Sequence, residues 1–350
     1  QTIQYLLSLS YNPANLNEFE TQIVAAFKTR ELISITSSIS KSNISAATVD
    51  DLIINLQNSL NIISNTSGGA QTESLSVLME SAYKNLVYRL DNPGLAGITT
   101  GIDDIDTITG GIEQGDLWVL ASRPSMGKSA MMCNSVLQMA KKEIPVLVFS
   151  LEMNKQHLME RLIAIETGIS LLDIRMAQLN QTQLNLISDK IKGVKSLPLY
   201  FDCNYNMDLN YVLSTIRKYK KMYGINAVYL DYLQLLAERG DNQTSELGRI
   251  SRSFKLIAED LNIGMIAISQ LNRAVELRDN KRPILSDLRQ SGNIEEDADI
   301  VSFLYRDDYY NQKSKESGEL EYIIRKNRSG PIGTVYFNFE NTTNRITKRI

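Results

Sequence analysis

Eight residues limit the fold of this chain more than any others: Ser122-Arg123-Pro124-Ser125-Met126-Gly127-Lys128-Ser129. The apolar segment 117–121 precedes them, and 130–137, opening on Ala130, has the make-up of a helix. A strand, a tight loop and a helix start carrying Gly-Lys-Ser form a phosphate cradle. Unpaired backbone N–H groups and the positive end of the helix dipole face the same point. In such a cradle Lys128 reaches the outer phosphates and the Ser129 hydroxyl can ligate Mg²⁺. The pattern points to a nucleoside triphosphate as ligand. It departs from the usual loop once, because Ser122 stands where others begin with glycine.

From Gly97 onward, apolar strand patterns at 117–121, 146–151, 227–233, 264–270, 300–305, 322–325 and 334–339 alternate with helical ones. One helical pattern, 208–223, stops at Gly224, the residue type that ends helices. Such alternation predicts an α/β fold with a mainly parallel sheet covered by helices on both faces. Ser329-Gly330-Pro331 reads as a turn between the last two strands, so an antiparallel edge is expected. A length of 350 residues and a hydrophobic content of 43% suit about two domains with a sizeable core.

Two acids and an amide fall at strand ends. Glu152 follows 146–151, at the sheet end where open α/β sheets bind ligand. There it could orient and deprotonate a water, although its position also suits an acid capping the next helix. Asp231 ends Val228-Tyr229-Leu230-Asp231 and could hold Mg²⁺ through water. Gln270 closes 264–270 and could sense the γ-phosphate. The single histidine, His157, reads as a helix-surface residue and excludes a multi-histidine metal site. Cys133 and Cys203 show no CxxC spacing, which fits a reducing interior without disulfide or zinc framework.

The loop recurs with Ser150-Leu151-Glu152-Met153, Leu230-Asp231-Tyr232-Leu233-Gln234 and Ser269-Gln270-Leu271-Asn272-Arg273. The block 286–299, Phe303-Leu304-Tyr305-Arg306-Asp307 and 326–335 complete the set. In order and spacing, from about Gly97 to the end, the chain resembles the replicative DNA helicases of the DnaB type. The resemblance implies a RecA-like ATPase core assembled as a homo-hexamer with ATP and Mg²⁺ between subunits. It implies nucleotide contacts from Arg123, Pro124, Ser125, Met126, Gly127, Lys128, Ser129 and Ala130, with Ser129 and Asp231 on the metal. Glu152 becomes the catalytic base, and Arg161 and Gln270 contact or sense phosphate. Lys326 and Arg328 resemble a pair offered in trans to the neighbour's ATP, whereas composition alone reads them as a solvated strand end. Arg289-Gln290-Ser291-Gly292 resembles a channel loop gripping single-stranded DNA, and arginine beside exposed backbone N–H groups suits sequence-blind phosphate binding. Gln290 replaces an acid often found there. Asn280-Lys281-Arg282 adds local charge, the loop 238–243 is expected to line the channel, and Tyr309-Tyr310 could border adenine.

Residues 1–66 read as a helical hairpin, with Leu16, Phe19, Ile23 and Phe27 on one face and a second helix capped at Thr48 carrying Val49 to Ile63. It is too small to be stable alone and resembles the last part of the family's N-terminal collar. Residues 67–96 read as a linker holding one helix, with Leu75, Leu78, Met79, Ala82, Leu86 and Leu90 as its stripe. That helix either folds onto its own following domain or, as the resemblance implies, docks on a neighbouring subunit. The third domain is 97–350. A net charge of −3 leaves DNA contact to local Lys and Arg clusters. No apolar run of ~18 residues and no signal peptide appear, so the expected location is cytoplasmic, with no membrane contact. The start on Gln1 reads as a chain trimmed at its front.

The expected activity is 5′–3′ translocation on single-stranded DNA with duplex unwinding, primase and a loader being the implied partners. A RecA-type recombinase and a ring-forming regulatory ATPase are the alternatives.

Overall fold

The computed structural model describes residues 16–41, 56, 74–91, 94–237, 243–291, 294–311, 314 and 316–349. The chain divides into two units, Gln1–Asp91 and Asn92–Ile350. Helices α1 (Leu16–Lys41) and α2 (Leu75–Asp91) belong to the first. The helix expected over 49–63 lies outside the described residues except for Leu56, which is helical. On the face of α1 expected to be buried, Ile23 is exposed and Phe27 half-buried. The stripe of α2 is exposed as well, at Leu75, Leu78, Met79, Leu86 and Leu90.

The second unit opens with α3 (Asp103–Thr109) and is built on one sheet, with nine strands among the described residues. In chain order they are β1 (Leu117–Ser122), β2 (Val146–Ser150), β3 (Leu199–Asp202), β4 (Ala227–Asp231), β5 (Gly264–Gln270), β6 (Ile300–Tyr305), β7 (Glu319–Asn327), β8 (Gly333–Glu340) and β9 (Arg345–Lys348). They lie side by side as β3-β2-β4-β5-β1-β6-β7-β8-β9. The pairs from β3 to β6 are parallel, and β6-β7, β7-β8 and β8-β9 are antiparallel.

Helices α4 (Lys128–Lys141), α5 (Lys155–Thr167), α6 (Leu171–Arg175), α7 (Gln181–Val194), α8 (Leu209–Tyr223) and α9 (Gln243–Leu261) accompany the strands. β1, β2, β4 and β6 are buried along their whole length, as continuous apolar runs in a two-sided parallel sheet must be. Their side chains alternate between two cores. Leu117, Val119 and Ala121 join one with α8 and α9, while Trp118 and Leu120 join the other with α4. β8 alternates between buried and exposed, the signature of a strand with one wet face.

α8 starts and stops as its sequence dictates. Asp208 accepts the Tyr211 N–H at 2.7 Å, and Gly224 takes the left-handed conformation, φ 63°. The strand expected to run on to Leu233 ends at Asp231, and Leu233 opens a 3₁₀ turn. β9 follows β8, so the antiparallel edge has one strand more than its sequence suggests.

Candidate active site

The phosphate loop joins β1 to α4. Ser122 pairs with Gln270 across β1 and β5, is fully buried, and donates its hydroxyl to Arg123 O at 2.8 Å. Its backbone stays out of the positive-φ region, so glycine is not needed there. Ser125 and Gly127 do take positive φ, 65° and 95°. Pro124 has no N–H, so the donors of the cradle begin at Ser125 and continue into the unpaired first turn of α4. Met126 and Ala130 are buried and fix the loop by packing. The Arg123 guanidinium is committed to the exit of β5, giving hydrogen bonds to Leu271 O at 2.7 Å and Glu276 Oε1 at 2.9 Å.

Lys128 lies buried inside the loop, its Nζ 3.5 Å from Ser269 O and 5.4 Å from the centre of the Tyr232 ring. Burial pulls its pKa down, while Asp231 and Glu152 hold it up. Ser129 donates its hydroxyl to Asp231 Oδ2 at 2.8 Å. Asp231 is fully buried, and its Oδ1 has no hydrogen-bond partner among the described residues. Burial raises its pKa, and the Ser129 hydroxyl and the Lys128 charge oppose that rise. An orphaned buried carboxylate oxygen beside a hydroxyl is a donor set that a hard divalent cation satisfies, so the pair fits Mg²⁺.

Glu152 is exposed just past the end of β2, and its charge is felt at both Lys128 and Asp231. It does not cap the next helix: Asn154 does, accepting the N–H of exposed His157 at 2.8 Å. Arg161, two turns into α5, is felt at Asp231 and Cys133, and its Nε is buried without a partner among the described residues. A buried guanidinium N–H with nothing to bond to marks a place for an anion. Gln270 ends β5 at the same sheet end. Its N–H donates to Gln234 Oε1 at 3.1 Å, and Gln234 Nε2 donates back to Ser269 Oγ at 2.8 Å.

Lys326 and Arg328 are not in this cluster. β7 runs against β6 with Lys326 opposite Val301, so both cations lie at the start of the parallel strands, the far end from the loop. There Lys326 donates to Glu295 O and Glu296 O, and burial, then the charge of Arg328, pulls its pKa down. Arg289 and Gln290 fall in a 3₁₀ turn, Leu285–Ser291. Gly292 and loop residues 238–242 lie outside the described residues.

Three residues at the site carry no role in the sequence reading. The Phe339 ring lies so near Gly127 that a Cβ there would stand 3.7 Å from Cζ, and Arg306 lies 4.8 Å over that ring while bonding Asn341 at 2.9 Å. Tyr310 sits instead against Tyr305, their centroids 6.1 Å apart. Gln234, inside a motif already recognised, ties the exits of β4 and β5 together. Only its place after Asp231 could have flagged it.

A parallel sheet with a phosphate loop, a metal-ready hydroxyl–carboxylate pair and a water-facing glutamate at one end defines a RecA-like nucleoside triphosphatase. Residues 97–348 match the DnaB-like helicase C terminal domain. A probable replicative DNA helicase of Trieres chinensis is 37% identical over 94% of this chain and 74% of its own length. The replicative DNA helicase DnaB of Haemophilus influenzae is 36% identical over 98% of this chain and 76% of its own. The solved structure of a DnaB-like replicative helicase, studied with its interactions with primase, superposes with a TM-score of 0.81. It is 31% identical and covers 97% of this chain and 80% of its own. The chain belongs to the DnaB-like helicase family, and its activity is that of an ATP-dependent replicative DNA helicase. Among the described residues, no helix is long and apolar enough to cross a membrane.

Proposed function

We propose that this helicase works as a ring of six copies, each ATP held between two of them, moving 5′ to 3′ along the single strand it encircles. What supports the ring is the placement of Lys326 and Arg328. Arg328 sits level with Leu117, roughly 16 Å of strand short of the loop that follows Ser122, and Lys326, opposite Val301, sits level with Val119, roughly 10 Å short of it. A phosphate within their reach therefore belongs to another copy.

In this reading the loop 123–130 cradles the nucleotide, with Lys128 on the outer phosphates and Arg161 and Gln270 reading the γ-phosphate. Glu152 orients and deprotonates the attacking water, and Lys326 and Arg328 of the adjoining copy meet the charge that develops on transfer. Ser129 and Asp231 would hold Mg²⁺, which would supply positive charge against the nucleotide phosphates. Arg289, Gln290 and Gly292 grip the strand by its phosphates. Residues 97–350 form the motor, and 67–96 the linker whose exposed α2 stripe docks on a neighbour. Residues 1–66 belong to a helical collar, with primase and a loader as partners.

A forked duplex tests this reading. Strand displacement with ATP should require a 5′ single-stranded tail, and ATP turnover without displacement would make the chain a regulatory ring ATPase instead. Arg289→Ala should weaken single-strand binding alike across sequences. The loss of one phosphate contact should flatten the slope of log affinity against log salt by roughly 0.7. A change confined to particular sequences would remove Arg289 from the backbone grip.

A further inference from the structure

The foot of the sheet holds a carboxylate that the proposed mechanism does not use. Asp299 is buried just before β6, and its two oxygens face different ways. Oδ2 accepts from Leu117 N–H at 2.8 Å and from Lys255 Nζ at 2.7 Å, one at the start of β1 and the other on α9. Leu117 O accepts the Asp299 N–H at 2.8 Å, which locks that residue to β1 a second time. The carboxylate therefore cannot swing. Oδ1 is turned to Arg328, accepting from Nη1 at 2.9 Å. A second acceptor, Glu296 O, takes Nη2 at 2.7 Å, and Arg328 N–H donates to Asp299 O at 3.0 Å.

We infer that Asp299 is a positioning residue: it inherits a fixed direction from β1 and α9 and passes it to the Arg328 guanidinium, which it aims out of the subunit. A planar guanidinium has five N–H donors in a rigid fork, and two anchored points fix its plane. These bonds use two of the donors and leave the others for a phosphate. The Arg328 side chain keeps 49% of its surface exposed while that of Asp299 keeps 9%, so the buried partner does the holding and the exposed one can reach outward. An ion pair with so exposed a cation adds little to stability, which leaves orientation as the main consequence of the contact. A cation already aimed does not have to be ordered as the transition state forms.

The same foot takes in the chain on its way from the strand-gripping block. Glu295 and Glu296, whose carbonyls hold Lys326 and Arg328, sit in the one-turn helix Ile294–Asp297 a few residues after Arg289. Ser251 pins that turn through Asp297 Oδ2 at 2.5 Å.

The inference rests on the in-trans reading of Arg328, and mixed rings test the two separately. Asp299→Asn offers an amide where three donors converge. It should lower kcat roughly 10- to 100-fold, as a misplacement of about 1 Å does, with KM for ATP unchanged because the cradle is intact. Lys128→Ala chains have dead sites but sound Asp299 and Arg328, so mixing them in should restore turnover at Asp299→Asn sites. Arg328→Ala chains should not. Asp299→Glu keeps the charge opposite Lys255 but reaches one methylene further. It should fall between Asp299→Asn and wild type, and it gives the answer if Asp299→Asn fails to assemble. Full turnover in the assembling variant, or no rescue by Lys128→Ala together with a loss merely proportional to the mutant fraction when Asp299→Asn is doped into wild type, overturns the role of Asp299. If Arg328→Ala fails the same mixing tests, the in-trans reading beneath it has failed too.

Discussion

Lys128→Ala should reduce ATP hydrolysis by at least ~10²- to 10³-fold, the loss that follows removal of one preorganised donor to developing charge in a dry site. Unwinding should fall with it. The argument starts from burial: Lys128 lies inside the loop against Ser269 O, 8% exposed, with Asp231 beneath it. Its charge does two things there. It offsets the buried Asp231 carboxylate, one oxygen of which has no donor among the described residues, and in the proposed mechanism it would face the outer phosphates of the nucleotide. Alanine removes both effects, so the cradle would meet the anion with backbone N–H groups alone while Asp231 faced it with less compensation. Lys128→Met keeps most of the side-chain volume and separates lost charge from lost packing; it should be as inactive as alanine. The measurements are steady-state phosphate release and nucleotide affinity, with a thermal melt to show that the variant is folded. Unchanged turnover in the folded variant would take the phosphate loop away from Lys128.

The sheet and its loop are legible in the sequence because burial forces a strong pattern there. β1, β2, β4, β5 and β6 must be apolar nearly end to end, and Gly127 at φ 95° leaves little choice of residue. Four-residue strands leave no such mark: β3, Leu199–Asp202, is half-buried throughout and lies at the sheet edge. β9, Arg345–Lys348, is polar at three of its four positions, and only its pairing with β8 makes it a strand. Candidate site groups at strand ends, Glu152, Asp231 and Gln270, can be placed because position along a parallel strand determines the sheet end. What joins elements distant in sequence cannot be read that way. Arg306 over Phe339, Asn341 bonded to Arg306, and Asp299 under Arg328 are contacts between segments up to 35 residues apart, and no spacing rule connects them. Arg328 is the clearest case. Its sequence fits a solvated strand end, and its surroundings agree, since it is half-exposed and bonded to a carboxylate and a carbonyl. A catalytic part for it depends on a second copy.

Arg328→Ala should abolish hydrolysis in assembled rings, by about 10³-fold or more if it acts as an arginine finger, and leave ATP binding nearly intact. Binding survives because the side chain lies at the opposite sheet end from its own loop, among Asp299, Glu296 and Lys326. The decisive comparison mixes two inactive chains. Lys128→Ala keeps a sound Arg328 but has no working cradle, whereas Arg328→Ala keeps the cradle but lends nothing to its neighbour. In a head-to-tail ring assembled from equal amounts, about a quarter of the interfaces pair a sound cradle with a sound arginine, and those sites should turn over. An arginine acting within its own chain would give no such recovery, since each chain would carry its own defect into the ring. Rings whose sites must fire in succession would also stay silent in that mixture. They differ in another respect: doping Arg328→Ala into wild type then lowers turnover more steeply than in proportion to the mutant fraction. Proportional loss on doping, together with no recovery in the mixture, would return Arg328 to the role its composition suggests, a solvated end of β7.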